Sequence, residues 1–83
     1  MFYSYILKSQ KTGRRYIGST NNLQRRLLEH NSNLSNSTSH RGPYILEYYE
    51  EFQTNIEARK RETELKSYKG GNKLRELLDR APR

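Results

Sequence analysis

The chain has 83 residues, of which 31% are hydrophobic, so it is long enough for one domain with a thin core. It contains no cysteine, which excludes a disulfide framework, a zinc knuckle and a thiol nucleophile. The net charge of +7 indicates a polyanionic partner, most often nucleic acid, although an inert basic surface is the simpler alternative.

The N-terminal apolar stretch does not have the pattern of a membrane span or an export signal. Ser4 interrupts it and Lys8 ends it, after too few residues to cross a bilayer. We therefore expect a cytoplasmic protein without a membrane partner.

A β-hairpin is predicted at the start of the chain. Residues 2–8 and 14–18 have the composition of strands, and residues 10–13 have that of a turn. Tyr5 and Tyr16 would then lie on adjacent strands. Whether they share a face depends on the register, which the sequence does not fix.

The second strand leads through a tight polar turn into an amphipathic helix. Gly18 allows either a sharp turn or the close approach of another backbone. Asn21, followed three residues later by Gln24, has the pattern of a capping box at the start of the helix.

Leu23 and Leu27 define the buried stripe of this helix. At about 100° per residue, Arg26 and His30 fall on the border of that stripe, and Arg25 points away from it. Arg26 is therefore expected at the edge of the core, with its guanidinium facing a cleft.

Residues 31–43 are rich in Asn and Ser and predict a surface loop long enough for a role in binding. A third strand is predicted at residues 44–50. Thr54 and Glu57 form a capping box that begins a second helix, which residues 69–72 end. Glu62 borders the buried stripe of that helix, which consists of Ala58, Leu65 and Tyr68.

A last helix, with Leu74, Leu77 and Leu78 inward, ends before Pro82. The predicted order is therefore β-β-α-β-α-α. A three-stranded antiparallel sheet flanked by helices, an α+β fold in a single domain over residues 1–83, accommodates these elements.

Two short motifs carry a family resemblance. Tyr16-Ile17-Gly18 matches the second signature of the GIY-YIG endonucleases, and Tyr3-Ser4-Tyr5 lies where the first belongs but keeps only its final tyrosine. The chain resembles this family over nearly its whole length. It is most similar to the small single-domain members of the UPF0213 type, which are related to the N-terminal nuclease domain of the bacterial excision-repair incision subunit.

The resemblance implies roles for individual residues. Tyr5 and Tyr16 match the active-site tyrosines, and either is a candidate general base. Arg26 matches the arginine that contacts phosphate. Glu62 matches the sole carboxylate ligand of one divalent metal ion, Mg²⁺ or Mn²⁺. Further active-site positions match Gly18, the turn glycine of the family, His30, His40 and Asn72.

The chemistry of these side chains agrees with such roles. A guanidinium is a planar fork that matches phosphate, and a nearby cation favours the anion of a phenol. Taken singly, each residue has a simpler interpretation: an arginine is usually solvated, a glutamate ion-paired, a tyrosine part of the core, and His30 a cation at the end of a helix. The ordered combination is what favours a nuclease.

The sequence therefore predicts a metal-dependent endonuclease of DNA, in repair or recombination, with weak sequence specificity. The alternative is a module that binds nucleic acid without cutting it, or a targeting component of a repair assembly. The sequence does not distinguish single-stranded, duplex and branched DNA, or DNA from RNA. It also does not fix the oligomeric state, for which a monomer is one option. Contacts with the sugar-phosphate backbone of the nucleic acid are expected from Lys8, Lys11, Arg14, Arg15, Arg25, Arg41, Lys60 and Arg61.

Overall fold

A computed structural model describes residues 1–32, 43–68 and 72–80. Its elements follow the predicted order: β1 (Phe2–Ser9), β2 (Arg15–Thr20), α1 (Leu23–Asn31), β3 (Tyr44–Phe52), α2 (Asn55–Ser67) and α3 (Asn72–Arg80). The three strands form one antiparallel sheet in the order β2-β1-β3. The predicted α+β fold is confirmed.

The strand register places the two candidate tyrosines on one face of the sheet. Tyr5 pairs with Gly18 across the β1–β2 ladder, and Leu7 pairs with Tyr16. Side chains directly opposite each other in an antiparallel pair point to the same face, and so do side chains two residues apart on one strand. Tyr16 therefore shares a face with Leu7, and Leu7 shares it with Tyr5. The ring centroids of Tyr5 and Tyr16 are 6.4 Å apart.

The helices lie on opposite faces of the sheet. On the face that we call the α1 face, Tyr5, Leu7 and Tyr44 pack with Leu23 and Leu27 of α1. On the other face, the α2 face, the core is built from one residue of β1 and three from α2 and α3, namely Ile6, Leu65, Leu74 and Leu78. Residues of α1 and α2 can therefore meet only around an edge of the sheet.

Two predicted boundaries around α1 are wrong. Strand β2 continues through Thr20, so Gly18 lies inside a strand and is not a turn residue. The N-cap is Asn22, whose Oδ1 accepts the backbone N–H of Arg25 at 3.0 Å, whereas Asn21 accepts from the Arg25 side chain. The capping residue changes because the chain remains extended for two residues beyond Gly18.

The beginning of α2 is as predicted. Thr54 is the N-cap, and its hydroxyl accepts the backbone N–H of Glu57 at 3.2 Å. Ala58 and Leu65 are buried, as the predicted stripe requires. Most of the predicted binding loop and the break before α3 fall at residues 33–42 and 69–71, outside the described residues. Within the part of the chain that is described, no helix has the length and apolar character needed to span a membrane.

Candidate active site

Tyr5 passes directly over Gly18. A Cβ atom at position 18 would lie 2.5 Å from the Tyr5 hydroxyl oxygen and 2.8 Å from its Cζ atom. Such separations are far below van der Waals contact, so only glycine leaves room for the phenol there. A glycine is therefore needed at position 18 because another group lies very close to it. That group is the side chain of Tyr5 on the neighbouring strand, and not another backbone.

His30 is the buried centre of the aromatic cluster. Its Nε2 atom is 3.2 Å from the Tyr5 hydroxyl, and its ring centroid lies 4.7 Å from that of Tyr16 and 6.1 Å from that of Tyr44. The residue is 0% exposed, whereas Leu23 and Leu27 are only half-buried. The prediction that His30 borders the stripe is therefore wrong, since it is the most deeply buried residue of α1.

The surroundings of His30 keep its ring neutral. Burial, together with the nearby Arg26 cation, lowers the pKa of His30 from 6.5 to about 4, with Glu29 opposing the shift in part. This excludes a charged histidine that stabilises the end of the helix at neutral pH. A neutral ring protonated at Nδ1 accepts the Tyr5 O–H at Nε2.

Arg26 reaches the same pair of tyrosines from α1. Burial tends to lower the pKa of Arg26, but hydrogen-bonding interactions with Tyr5, Glu29 and Tyr16 outweigh it, so that the pKa is raised. Its Nη1 atom donates to Glu29 Oε1 at 3.1 Å, and 30% of its side chain remains exposed. Arg26 therefore lies at the edge of the core, as predicted, while the cleft that its guanidinium was expected to face stays a prediction.

Burial raises the pKa of Tyr5 to about 12, and the charges of Tyr16 and Glu62 add to the increase. Interactions with Arg26 lower the pKa only in part. Tyr5, which is 2% exposed, therefore holds its proton at neutral pH. It lies behind the solvent-accessible part of the site.

Glu62 approaches from the α2 face. Its side chain is 21% exposed, and its Oε2 atom accepts from Lys66 Nζ at 2.6 Å. Helix α2 packs against β1 and β2, and β2 is an edge strand. The charge of Glu62 contributes to the raised pKa of Tyr5, although α2 and Tyr5 lie on opposite faces of the sheet.

Of the remaining predicted active-site residues, the described part of the chain includes only Asn72. Asn72 is the exposed first residue of α3 and makes no hydrogen bond to the cluster among the described residues. His40 and Arg41 lie outside the described ranges. Their predicted roles stay predictions.

The predicted DNA-binding cations differ in how far they are engaged. Arg15 donates to Glu47 at 2.6 Å, and half-buried Arg61 bridges Glu50 at 2.9 Å and Glu64. These two arginines connect strands and helices of the fold. Lys8 is half-buried. Arg15 is exposed despite its ion pair, and so are Lys11, Arg14, Arg25 and Lys60.

Sequence reasoning did not single out Tyr44, and it treated Ser4 only as a departure from the first family signature. Tyr44 packs on His30, and Ser4, buried beneath α2, donates its hydroxyl to the Ala58 carbonyl at 2.6 Å. The buried hydroxyl explains how Ser4 is accommodated at a position where the first signature has an apolar residue. Neither contact has a local signal, because both join elements far apart in sequence.

A comparison with known protein families assigns the chain to one of them. Residues 1–75 match the model of the GIY-YIG catalytic domain. The chain therefore belongs to the GIY-YIG family, a family of nucleases, as the two motifs indicated.

Its individual relatives are small proteins of the UPF0213 type. One from Clostridium perfringens is 41% identical over 75 residues, which cover 89% of this chain and 80% of that protein. One from Staphylococcus haemolyticus is 35% identical over 79 residues, covering 94% and 95%. The solution NMR structure of a UPF0213 protein from Bacillus halodurans is 32% identical and superposes with a TM-score of 0.47, covering 89% of this chain and 92% of that one.

Proposed function

We propose that the protein is an endonuclease that hydrolyses phosphodiester bonds of DNA with the help of one divalent metal ion. The observation that carries this proposal is the meeting of Tyr5, Tyr16 and Arg26 above Gly18, within reach of the charge of Glu62. Membership of a nuclease family supports it.

Arg26 is the proposed phosphate ligand. A guanidinium presents parallel N–H groups that match two phosphate oxygens, and it stabilises the charge that develops on them during attack. The ion pair with Glu29 is partly exposed and weak enough for phosphate to replace it. Its contacts with the tyrosines hold the guanidinium in place.

Tyr16 is the proposed general base. It is only half-buried and can meet a water molecule, whereas Tyr5 is buried and protonated. The phenolate of Tyr16 takes a proton from water, whose oxygen forms the new bond to phosphorus as the ester P–O bond breaks. The departing oxygen takes a proton from solvent.

Tyr5 and His30 are proposed to position this pair. The Tyr5 hydroxyl lies between Arg26 and the neutral His30 ring, so it donates to the imidazole while accepting from the guanidinium. This chain of polar contacts fixes the direction in which Arg26 points.

Glu62 is the proposed metal ligand. Mg²⁺ commonly binds one or two carboxylates together with substrate oxygens and water, so a single half-buried glutamate fits it. Among the described residues, Glu62 included, no group of three or more His, Asp or Glu side chains is placed to hold a metal ion, so the ion would depend on Glu62 together with water and substrate oxygens. When bound, Mg²⁺ or Mn²⁺ supplies a Lewis acid at the phosphate. Lys66 has to release the Glu62 carboxylate first.

We further propose that the chain acts as one domain in the cytoplasm, in DNA repair or recombination. Contacts between the exposed cations and the DNA backbone would carry no sequence information. The structure of the DNA, and not its base sequence, would then direct cutting. Such activity suits repair and recombination substrates.

A nicking assay with Mg²⁺ or Mn²⁺ tests the proposal. Glu62→Gln and Arg26→Ala should each reduce cleavage at least about 100-fold, the scale of losing one group that stabilises transition-state charge. Glu64→Gln on the same helix and Arg75→Ala, an exposed arginine of α3, are the controls and should cut at nearly the wild-type rate.

The assay also distinguishes the non-cleaving alternative. If wild-type protein and all four variants bind DNA but none cuts it with either metal, the protein is a binding module and the nuclease proposal is wrong.

A further inference from the structure

An open pocket of about 410 Å³ lies beside the candidate active site on the α1 face. Two tyrosines, Tyr3 and Tyr49, form one part of its lining, and side chains from the start of α1 form another. Tyr49 pairs with Tyr5 across the β1–β3 ladder. Tyr3 is two residues from Tyr5, or about 7 Å along the strand. The pocket is thus next to the cluster that includes Arg26.

The tyrosines form an aromatic wall. Tyr3 and Tyr49 meet edge to face, with ring centroids 6.1 Å apart and an interplanar angle of 65°. Tyr49 is 48% exposed, which is unusual for so large an aromatic side chain. Exposed aromatic rings in a groove are the surfaces on which unpaired nucleobases stack.

Two polar side chains of the lining have unused hydrogen-bonding capacity. Within the described part of the chain, neither Gln24 nor Glu51 makes a side-chain hydrogen bond or an ion pair. By contrast, Asn22 caps α1 through its Oδ1 atom. A glutamine amide both donates and accepts, and a carboxylate accepts from the exocyclic amine of a base.

Charge selects the kind of occupant. Among the described residues that line the pocket, Glu51 carries the one charge at neutral pH. A carboxylate repels a phosphate group, but it attracts the amine of a neutral base. The positive charges needed for phosphate, Arg25 and Arg26, follow Gln24 on the same helix and do not line the pocket.

We infer that this pocket holds one unpaired nucleobase next to the phosphate that is cut, and that it favours bases with an exocyclic amine over thymine. The inference deepens the proposed function and rests on it for the position of the scissile phosphate. The preferred substrate is then one with an unpaired base at the cleavage site, as in a single strand, a flap or a distorted duplex.

The first test measures stacking without cleavage. A single 2-aminopurine is moved along a short single-stranded oligonucleotide, and its fluorescence is recorded with the protein in the presence of a chelator. We expect quenching at one position, retained in Tyr49→Phe. In Tyr49→Ala the quenching should disappear and the affinity should fall about fivefold or more.

Ile45→Ala is the matched control, since Ile45 is a 43% exposed residue of the same strand outside the pocket. It should bind like the wild type. Equal fluorescence at every position of the oligonucleotide would overturn the inference. So would an effect of Tyr49→Ala no larger than that of the control.

The second test concerns base identity. Oligonucleotides with dA or dC at the quenched position should bind more tightly than the one with dT. Gln24→Ala and Glu51→Gln should each reduce this difference, while equal affinities for all three oligonucleotides in the wild type would refute the preference.

The two proposals fail separately. Site-specific quenching without cleavage in Mg²⁺ or Mn²⁺ refutes the nuclease and retains the pocket. Cleavage with uniform fluorescence along the strand refutes the pocket alone.

Discussion

Acid should destabilise the folded protein through His30. The ring is fully buried, and its pKa in the folded chain is about 4 against a usual 6.5. The unfolded chain therefore binds a proton more readily than the folded one. The stability that neutral His30 contributes is complete above pH 6.5 and is lost as the pH falls from 6.5 towards 4.

The size of the effect follows from the shift. Each pKa unit corresponds to about 1.4 kcal/mol, so the full displacement is worth roughly 3 kcal/mol. Near pH 4.5 most of this, about 2 to 3 kcal/mol, should already be lost. That is a large share of the total stability of a small domain, which is typically about 5–15 kcal/mol.

Urea unfolding followed by circular dichroism, near pH 7 and near pH 4.5, measures this loss. The comparison is His30→Gln, whose amide oxygen still accepts from Tyr5 but does not titrate. Carboxylates titrate in both proteins and cancel in the difference. The wild type should lose about 2 to 3 kcal/mol more than the variant. Equal losses in the two proteins would show that His30 is not held neutral by the fold.

Three further outcomes follow from individual contacts. Gly18→Ala places a methyl group against the immobile Tyr5 ring and should lower the free energy of unfolding by about 1–3 kcal/mol, measured by urea unfolding. Ser4→Ala removes a buried hydrogen bond to α2 and should lower it by about 1–2 kcal/mol in the same assay. Lys66→Ala frees the Glu62 carboxylate and should decrease the Mn²⁺ concentration for half-maximal cleavage by up to about fivefold.

Each of these outcomes has a control or a result that contradicts it. An unchanged unfolding midpoint in Gly18→Ala would mean that Tyr5 does not cover the glycine. Ser67→Ala removes a similar but exposed hydroxyl contact, so a loss equal to that of Ser4→Ala would contradict the role of burial. Lys60→Ala on α2 should not alter the metal requirement, and an equal decrease there would indicate a general charge effect.

Most of the fold was predictable because its signals are local. The alternation of a strand depends on residues two positions apart. The Thr54 cap and the apolar stripe of α2 depend on residues of the same helix or immediately before it. The same holds for the motif Tyr16-Ile17-Gly18, which together with Arg26 and Glu62 indicates the family from the sequence alone. The roles of these residues in catalysis remain predictions.

The element boundaries near α1 were less predictable. Thr20, Asn21 and Asn22 are all good capping residues, and sequence alone does not choose among them. Pairing of β2 with β1 extends the strand through Thr20, and this long-range contact places the cap at Asn22.

The sequence by itself determined the order of the elements, the basic surface and the family, because composition and short motifs do not depend on how distant segments meet. Only the tertiary structure decided that Tyr5 shares a face with Tyr16 and covers Gly18, since one residue of register reverses every side chain. It also decided that His30 is buried and neutral, and that α2, which carries Glu62, lies on the face of the sheet opposite Tyr5 and Tyr16. Burial and charge interactions of this kind arise from packing between elements distant in sequence, which no local pattern encodes.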